Sequence, residues 1–352
     1  MALPERNIPY RLQEEHSLLI PSEVIWVPEI PRDQTLAIIS PGQGSQKVGM
    51  GKDLTEWSPA AAGVWQMGRD ILGDAFIKTV WEGPEEELAK TSITQPAVAL
   101  DSLARMATLQ EMGKYDNAGV YTGNSLGFYP AMVNAGALSL EDGIRLIQLR
   151  GQISEIQGVG ESAMIAVADA DEVLPEELQE QFGLYLCLDN TKKQKVFGGD
   201  KTAVADAKTW MVEKRGLTRV YPLAIDRAFH SPYMEPAVAP LRHALNQIDI
   251  HAPTKGQLIG ICDVRPLTNR DEIIDELLTQ LTSTVRWKDN RNYLFNQKVT
   301  TMVELNGSPT LTAMAADENE LGGDKTRIAP ERQEGRGRPP TIVYVWTAPQ
   351  AA

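Results

Sequence analysis

Cysteine is nearly absent. Two residues, Cys187 and Cys262, in a chain of 352 give no disulfide framework, and with only four histidines they make no zinc-type cluster. Each lies in an apolar run, LYLCLD or LIGICDV, and reads as a small core residue in a strand. Long apolar runs are missing too: none approaches the ~18 residues that a membrane span needs. The opening stretch, MALPERNIPYRLQEEHS, has no apolar centre of the secretory kind, so a cytoplasmic location is the expectation. Positive charge is short. There are 34 Lys and Arg against 47 Asp and Glu, a net charge of -13, which argues against nucleic acid as the main partner. An acidic protein that meets a local basic patch stays compatible with it. What the chain does have is 42% hydrophobic residues, enough for a substantial core.

Residues 1–34 read as an N-terminal extension of prolines and charges, in which Glu23–Val27 could form a short strand. The first good strand is Thr35–Ser40. Helical spacing follows at Ala97–Met112, a strand at Gly119–Thr122 and a helix at Leu138–Ile156 that begins with acidic residues, as a helix dipole favours. Later come a helix after His230, a strand at Gln257–Val264, a helix at Asp271–Leu281 and a strand at Thr301–Leu305. Such alternation predicts a large catalytic α/β domain, α/β-hydrolase-like with a mainly parallel sheet, built from residues 35–160 and 226–316. Residues 161–225 read βαββαβ, a small inserted ferredoxin-like subdomain. A cleft between the two parts is the natural ligand site. Residues 317–352 read as a C-terminal linker and terminal strand. The stretch 315–340 is rich in Gly, Arg and Glu, whereas Thr341–Trp346 is strongly β-prone. The two terminal strands are expected to pair with each other or with a sheet edge.

Gly123-Asn124-Ser125-Leu126-Gly127 fits G-x-S-x-G between a strand-like and a helical stretch. Such an elbow exposes the serine in a tight turn and aims helix amides at a developing negative charge. An ordinary glycine turn fits the same five residues. A serine nucleophile needs a base. His16 lies in the extension, while His243 and His251 read as surface residues. His230, in AFHSPYMEP after the insert, could face the cleft or cap a helix start.

Several segments together resemble the malonyl-CoA:acyl carrier protein transacylases and the related acyltransferase domains of polyketide synthases. They are SPGQGSQKVGMGKDL (40–54), TQPAVAL (94–100), GNSLG, GALSLEDGIRLIQLRGQ (136–152), AFHSPYMEP, QLTSTVRW (280–287) and VELNGSPTLTAM (303–314), all in the family's order. The resemblance covers about Leu36 to Ala316. It implies that Ser125 is the acylated nucleophile and His230 its base. Gln280 matches the glutamine whose backbone carbonyl orients the histidine. Gln43 and Leu126 match the oxyanion-hole amides. Arg150, 25 positions beyond Ser125, matches the arginine that holds malonyl's free carboxylate. Without the match it reads as a surface arginine. Phe229 resembles the residue of malonyl-selective domains, filling the space of an α-methyl group.

The implied activity moves malonyl, or a similar carboxylated acyl group, from coenzyme A to the phosphopantetheine of an acyl carrier protein, in fatty acid or polyketide biosynthesis. It needs no metal and no resident cofactor, and expects neither nucleic acid nor a membrane as partner. An acyl hydrolase or editing thioesterase of similar fold, a transferase for a non-malonyl group, and a catalytically weak docking subunit are the alternatives. The family usually has histidine where Asn124 stands and glutamate where Phe128 stands, so Asn124 is a candidate substrate-binding residue and Phe128 is expected at the cleft rim. Lys192, Lys193, Lys195, Arg286, Lys288 and Arg291 are the candidates for a basic docking patch.

Overall fold

The computed structural model describes residues 35–116, 118–156, 160–225, 227–317, 324–328 and 343–347. The possible strand at 23–27 and His16 lie outside these residues. Strand β1 (Thr35–Ser40) opens the described chain, with the bounds that its apolar run predicts. Helices α1 (Lys52–Thr55), α2 (Pro59–Leu72), α3 (Asp74–Glu82), α4 (Glu85–Leu88) and α5 (Thr91–Glu111) precede β2 (Val120–Gly123). Then come α6 (Phe128–Asn134) and α7 (Leu140–Ile156). The insert is β3 (Ser162–Val167), α8 (Leu174–Phe182), β4 (Tyr185–Asp189), β5 (Lys195–Asp200), α9 (Lys201–Glu213) and β6 (Val220–Pro222). The rest is α10 (Glu235–Leu245), β7 (Gln257–Ile259), β8 (Pro266–Leu267), α11 (Arg270–Thr282), α12 (Trp287–Asn296), β9 (Val299–Glu304), α13 (Leu311–Asp317), β10 (Asp324–Ile328) and β11 (Val343–Thr347).

The large sheet has the order β10-β11-β9-β1-β2-β7-β8, and its centre, β9-β1-β2-β7, is parallel. The fold is therefore α/β with a mixed, mainly parallel sheet. β1 is buried on both faces, as parallel strands covered by helices are. Leu36 and Ile38 face the main core with α2, α5, α6 and α7, while Ala37 and Ile39 face a smaller cluster with Trp287 and Leu294. From β1 the chain's partners diverge, β2 on one side and β9 on the other. At such a switch point, ligands of open α/β sheets bind beyond the carboxyl ends of the strands.

The insert forms a separate antiparallel sheet of order β4-β5-β3-β6. One face carries α8 and α9 through Ile165, Phe197, Leu174, Leu178, Ala207 and Met211. Met164, Cys187 and Val196 on the alternate positions join the main core. The free edge of β4 is tied to the segment between α11 and α12: Asp189 N–H donates to Val285 O at 2.9 Å and Val285 N–H to Cys187 O at 2.9 Å.

Three expectations are corrected. The strand from Gln257 ends at Ile259, because the next amides turn to bind the Glu276 carboxylate; buried Cys262 therefore sits in a turn. The segment 315–340 is not all linker. α13 runs to Asp317, and β10 pairs antiparallel with β11 from Asp324↔Thr347 to Ile328↔Val343. Charged residues suit such an outer strand. β11 in turn pairs antiparallel with β9, so the β-prone terminus adds to the sheet edge.

Candidate active site

β2 ends at Gly123, and the serine turn follows directly. Asn124 is still extended, Ser125 has φ 51°, and a single 3-10 turn then leads into α6. The flanking glycines are steric requirements. A Cβ on Gly123 would lie 2.2 Å from the carbonyl carbon and oxygen of Gly127, and one on Gly127 would lie 2.2 Å from Ser40 O. Left-handed backbone at a serine costs about 1–3 kcal/mol, which the packed surroundings hold in place.

His230 arrives from the loop between the insert and α10, also left-handed at φ 61°. Ala228 N–H donates to Ser162 Oγ at 3.0 Å and Ser231 Oγ–H to Ala228 O at 2.5 Å, fixing the loop on both sides of the ring. Ser125 Oγ lies 2.7 Å from His230 Nε2, although 105 positions separate the two residues. His230 Nδ1 lies 2.5 Å from Gln280 O at the end of α11. A carbonyl only accepts, so Nδ1 carries the proton and Nε2 is left as the acceptor for the serine proton. Burial, then the nearby Arg150 charge, lowers the His230 pKa from 6.5 to about 3, against the opposing pull of the Gln280 carbonyl. The imidazole is therefore neutral at pH 7, as a general base must be.

Arg150 lies on α7 and is 3% exposed, not the surface residue that its helix suggests when read alone. One guanidinium nitrogen reaches Ser125 Oγ at 3.4 Å, and the group lies over the Tyr129 ring at 5.2 Å. Arg150 Nε has no hydrogen-bond partner, and among the described residues no carboxylate pairs with this side chain. Burial lowers its pKa, yet a guanidinium stays protonated at neutral pH. A desolvated cation, without a counter-charge among the described residues, thus lies beside the Ser125 hydroxyl.

The loop after β1 presses on the elbow. A Cβ on Gly42 would meet Asn124 O at 2.9 Å and Asn124 Oδ1 at 3.2 Å, so the residue before Gln43 packs on the serine turn. Leu126 is the second residue of that turn, whose first backbone bond runs from Gly127 N–H to Asn124 O at 2.9 Å. Amides that open a helical turn have no partner within it, as an oxyanion site requires. Asn124 is buried, and Phe229 is buried with its ring 6.5 Å from the imidazole.

Phe128 is corrected: it is fully buried in the main core, not at the rim, because α6 runs inward from the elbow. The docking patch shrinks as well. Lys195 is buried on Asp189 at 2.8 Å, Arg291 is fully buried, Lys288 pairs with Asp189 at 2.9 Å, and Arg286 pairs with Asp289 at 2.7 Å. Lys192 and Lys193 stay exposed. His243 and His251 are exposed, as expected. Tyr129 is not among the candidates from sequence; an aromatic residue one helical turn beyond the serine is the signal for it. Among the described residues, no group of His, Cys, Asp and Glu is arranged to hold a metal ion, and no helix is long and apolar enough to cross a membrane.

Residues 38–345 match the acyl transferase domain family. The chain is 32% identical over 290 residues to the malonyl CoA-acyl carrier protein transacylase of Bacillus subtilis, covering 81% of this chain and 90% of the relative. The solved malonyl CoA-acyl carrier protein transacylase of Coxiella burnetii superposes with TM-score 0.77 at 30% identity, over 81% of this chain and 91% of that one. A malonyl-transacylase solved with its type II PKS acyl-carrier protein gives TM-score 0.75 at 31% identity, over 80% of this chain and 91% of that one.

Proposed function

We infer from one premise, that the chain belongs to the acyl transferase domain family, that it is an acyltransferase moving malonyl from coenzyme A to an acyl carrier protein in fatty acid or polyketide biosynthesis. The observation that carries the choice of acyl group is buried Arg150, without a carboxylate partner among the described residues and 3.4 Å from Ser125 Oγ. Malonyl sets a carboxylate one methylene from the reacting carbonyl, so it brings the missing counter-charge to that guanidinium. Relatives named for the same transfer, and one solved with a carrier protein, support the reading.

In this reading Ser125 Oγ attacks the thioester carbonyl while His230 Nε2 takes its proton. The oxyanion is held by the amides of Gln43 and Leu126, each worth about 2.7–4 kcal/mol. Collapse expels the coenzyme A thiolate, which recovers the proton from His230. The phosphopantetheine thiol then gives its proton to His230, attacks the seryl ester and restores Ser125. Asn124 borders the acyl group. No resident cofactor or metal enters these steps. The insert fits a ferredoxin-like subdomain, and the reaction suits a cytoplasmic setting.

The test is to supply malonyl-CoA and a phosphopantetheinylated carrier protein and follow both products. Malonyl-carrier and free coenzyme A in equal amounts are expected; free malonate would put the hydrolase first.

Phe229 bears on selectivity. Discrimination by one methyl group is worth roughly 10- to 200-fold, and that is the expected preference for malonyl-CoA over methylmalonyl-CoA in kcat/KM. Phe229→Ala should narrow it. Equal constants in the wild type would remove this role.

The depressed pKa of His230 sets the acid behaviour. In the free enzyme the base stays neutral down to about pH 3, so kcat/KM for acylation shows no loss near pH 6.5. Stability runs the other way. The unfolded chain binds the His230 proton near pH 6.5 and the folded one only near 3, so this contribution is complete above 6.5 and is lost as pH falls toward about 3. The melting temperature should fall through that window, less steeply in His230→Gln. An acid limb of kcat/KM at pH 6.5 would show an ordinary, solvated imidazole.

A further inference from the structure

Glu276 is an acidic residue on the inner face of α11, one turn before Gln280, and is 3% exposed. No cation pairs with its carboxylate among the described residues. Backbone amides do: Ile261 N–H donates to Oε1 at 2.8 Å and Cys262 N–H at 2.9 Å, and Asp263 N–H reaches Oε2 at 3.4 Å. Gln280 Nε2 reaches Oε1 at 3.4 Å. A Cβ on Gly260 would sit 2.8 Å from Glu276 Oε2, so the turn and the carboxylate fit closely.

The turn that Glu276 binds is held from two other sides. Arg286 N–H donates to Ile261 O at 2.8 Å, shortly after Gln280 in the chain. Asn290 Nδ2 donates to Gly260 O at 2.9 Å and to Thr122 Oγ1 at 3.2 Å. Thr122 lies on β2, three residues before Ser125, and its hydroxyl donates to Ile259 O at 3.0 Å. One buried polar network therefore joins the strand that carries the nucleophile to the helix end that orients the base. Glu276 is its link to α11.

We propose that Glu276 is a positioning residue for acyl transfer: by gripping the 260–263 turn it fixes the end of α11, and so holds the Gln280 carbonyl against His230 Nδ1. The proposal rests on His230 serving as the base of Ser125. Release of the turn leaves several buried amides unpaired and frees α11 to shift. A misplacement of about 1 Å at a catalytic group is enough to cost about 100-fold in rate. Glutamine at 276 keeps an acceptor in the Oε1 position and loses the one at Oε2. Leucine loses both.

The test compares wild type, Glu276→Gln and Glu276→Leu at a temperature well below the lowest melting point. Two readouts do not depend on the acyl substrate: the rate at which phenylmethylsulfonyl fluoride sulfonylates Ser125, and the NMR shift of the His230 Nδ1 proton. The third is malonyl-CoA acylation. Glu276→Leu should slow sulfonylation and kcat for acylation by about 10- to 100-fold, leave KM for malonyl-CoA within about threefold, and move the Nδ1 proton upfield as its hydrogen bond weakens. Glu276→Gln should fall between the two. Should Glu276→Leu not fold, Glu276→Gln alone still decides by the same three signals. Lower melting points with an unmoved Nδ1 proton and wild-type sulfonylation would overturn the positioning role. If sulfonylation responds as expected while malonyl-CoA fails to acylate even the wild type, the substrate assignment is at fault and the positioning role stands.

Discussion

Replacing Ser125 with alanine is expected to lower malonyl transfer by about a million-fold, and His230→Ala by nearly as much. The two side chains act as one unit. Ser125 Oγ lies 2.7 Å from a histidine kept neutral by burial, and the hydroxyl is a poor nucleophile without it. Removing either leaves only binding and the oxyanion amides. The double variant should therefore lose little beyond Ser125→Ala. Binding should survive, because both changes leave the Arg150 guanidinium in place; Ser125→Ala removes only its 3.4 Å contact with the hydroxyl. Transfer rates of wild type, both single variants and the double variant check this. Additive losses would show that the two residues work independently.

Arg150→Ala should lower kcat/KM for malonyl-CoA by roughly 30- to 4,000-fold, the scale of truncating one partner of a buried charge pair. The substrate carboxylate would then be desolvated beside Tyr129 with no cation to meet it. Acetyl-CoA presents a methyl group there and suffers no such loss; its kcat/KM should stay level or rise once the buried charge is gone. Arg150→Lys should recover only part of the malonyl activity, since an ammonium cannot form the planar fork. Kinetics with both thioesters measure the ratio directly. An equal fall for malonyl-CoA and acetyl-CoA would make Arg150 a structural residue.

The legible parts of the fold share a physical cause. β1 could be bounded because an apolar run ends at Ser40 in a glycine turn and both faces are buried. α5 begins at Thr91, before the predicted Ala97; Pro96, a residue type that usually marks a helix's first turn, lies inside it. No element is expected from sequence over 52–88, yet Ser58 caps α2, and Ala61, Val64, Trp65 and Gly68 are buried at helical spacing. β10 was hidden because its strand character comes from pairing with β11, not from its own composition.

In the site, the glycines around Ser125 announced the elbow because nothing larger fits there. The meeting of Ser125, His230 and Arg150 was legible only through resemblance, since they come from separate elements brought together by the sheet. Burial was the least legible property. Phe128, Lys195 and Arg291 all read as accessible, and all three are buried. Their neighbours in sequence do not reveal which face of an element meets the core.

The most direct measurement is the intact mass of the protein after brief incubation with malonyl-CoA and no carrier protein. Wild type should gain the mass of one malonyl group, with the modified peptide containing Ser125, and should lose it when a phosphopantetheinylated carrier protein is added. Ser125→Ala should gain nothing. A malonyl adduct on the Ser125→Ala protein at the wild-type rate, or wild type that takes acetyl in preference to malonyl, would contradict the account.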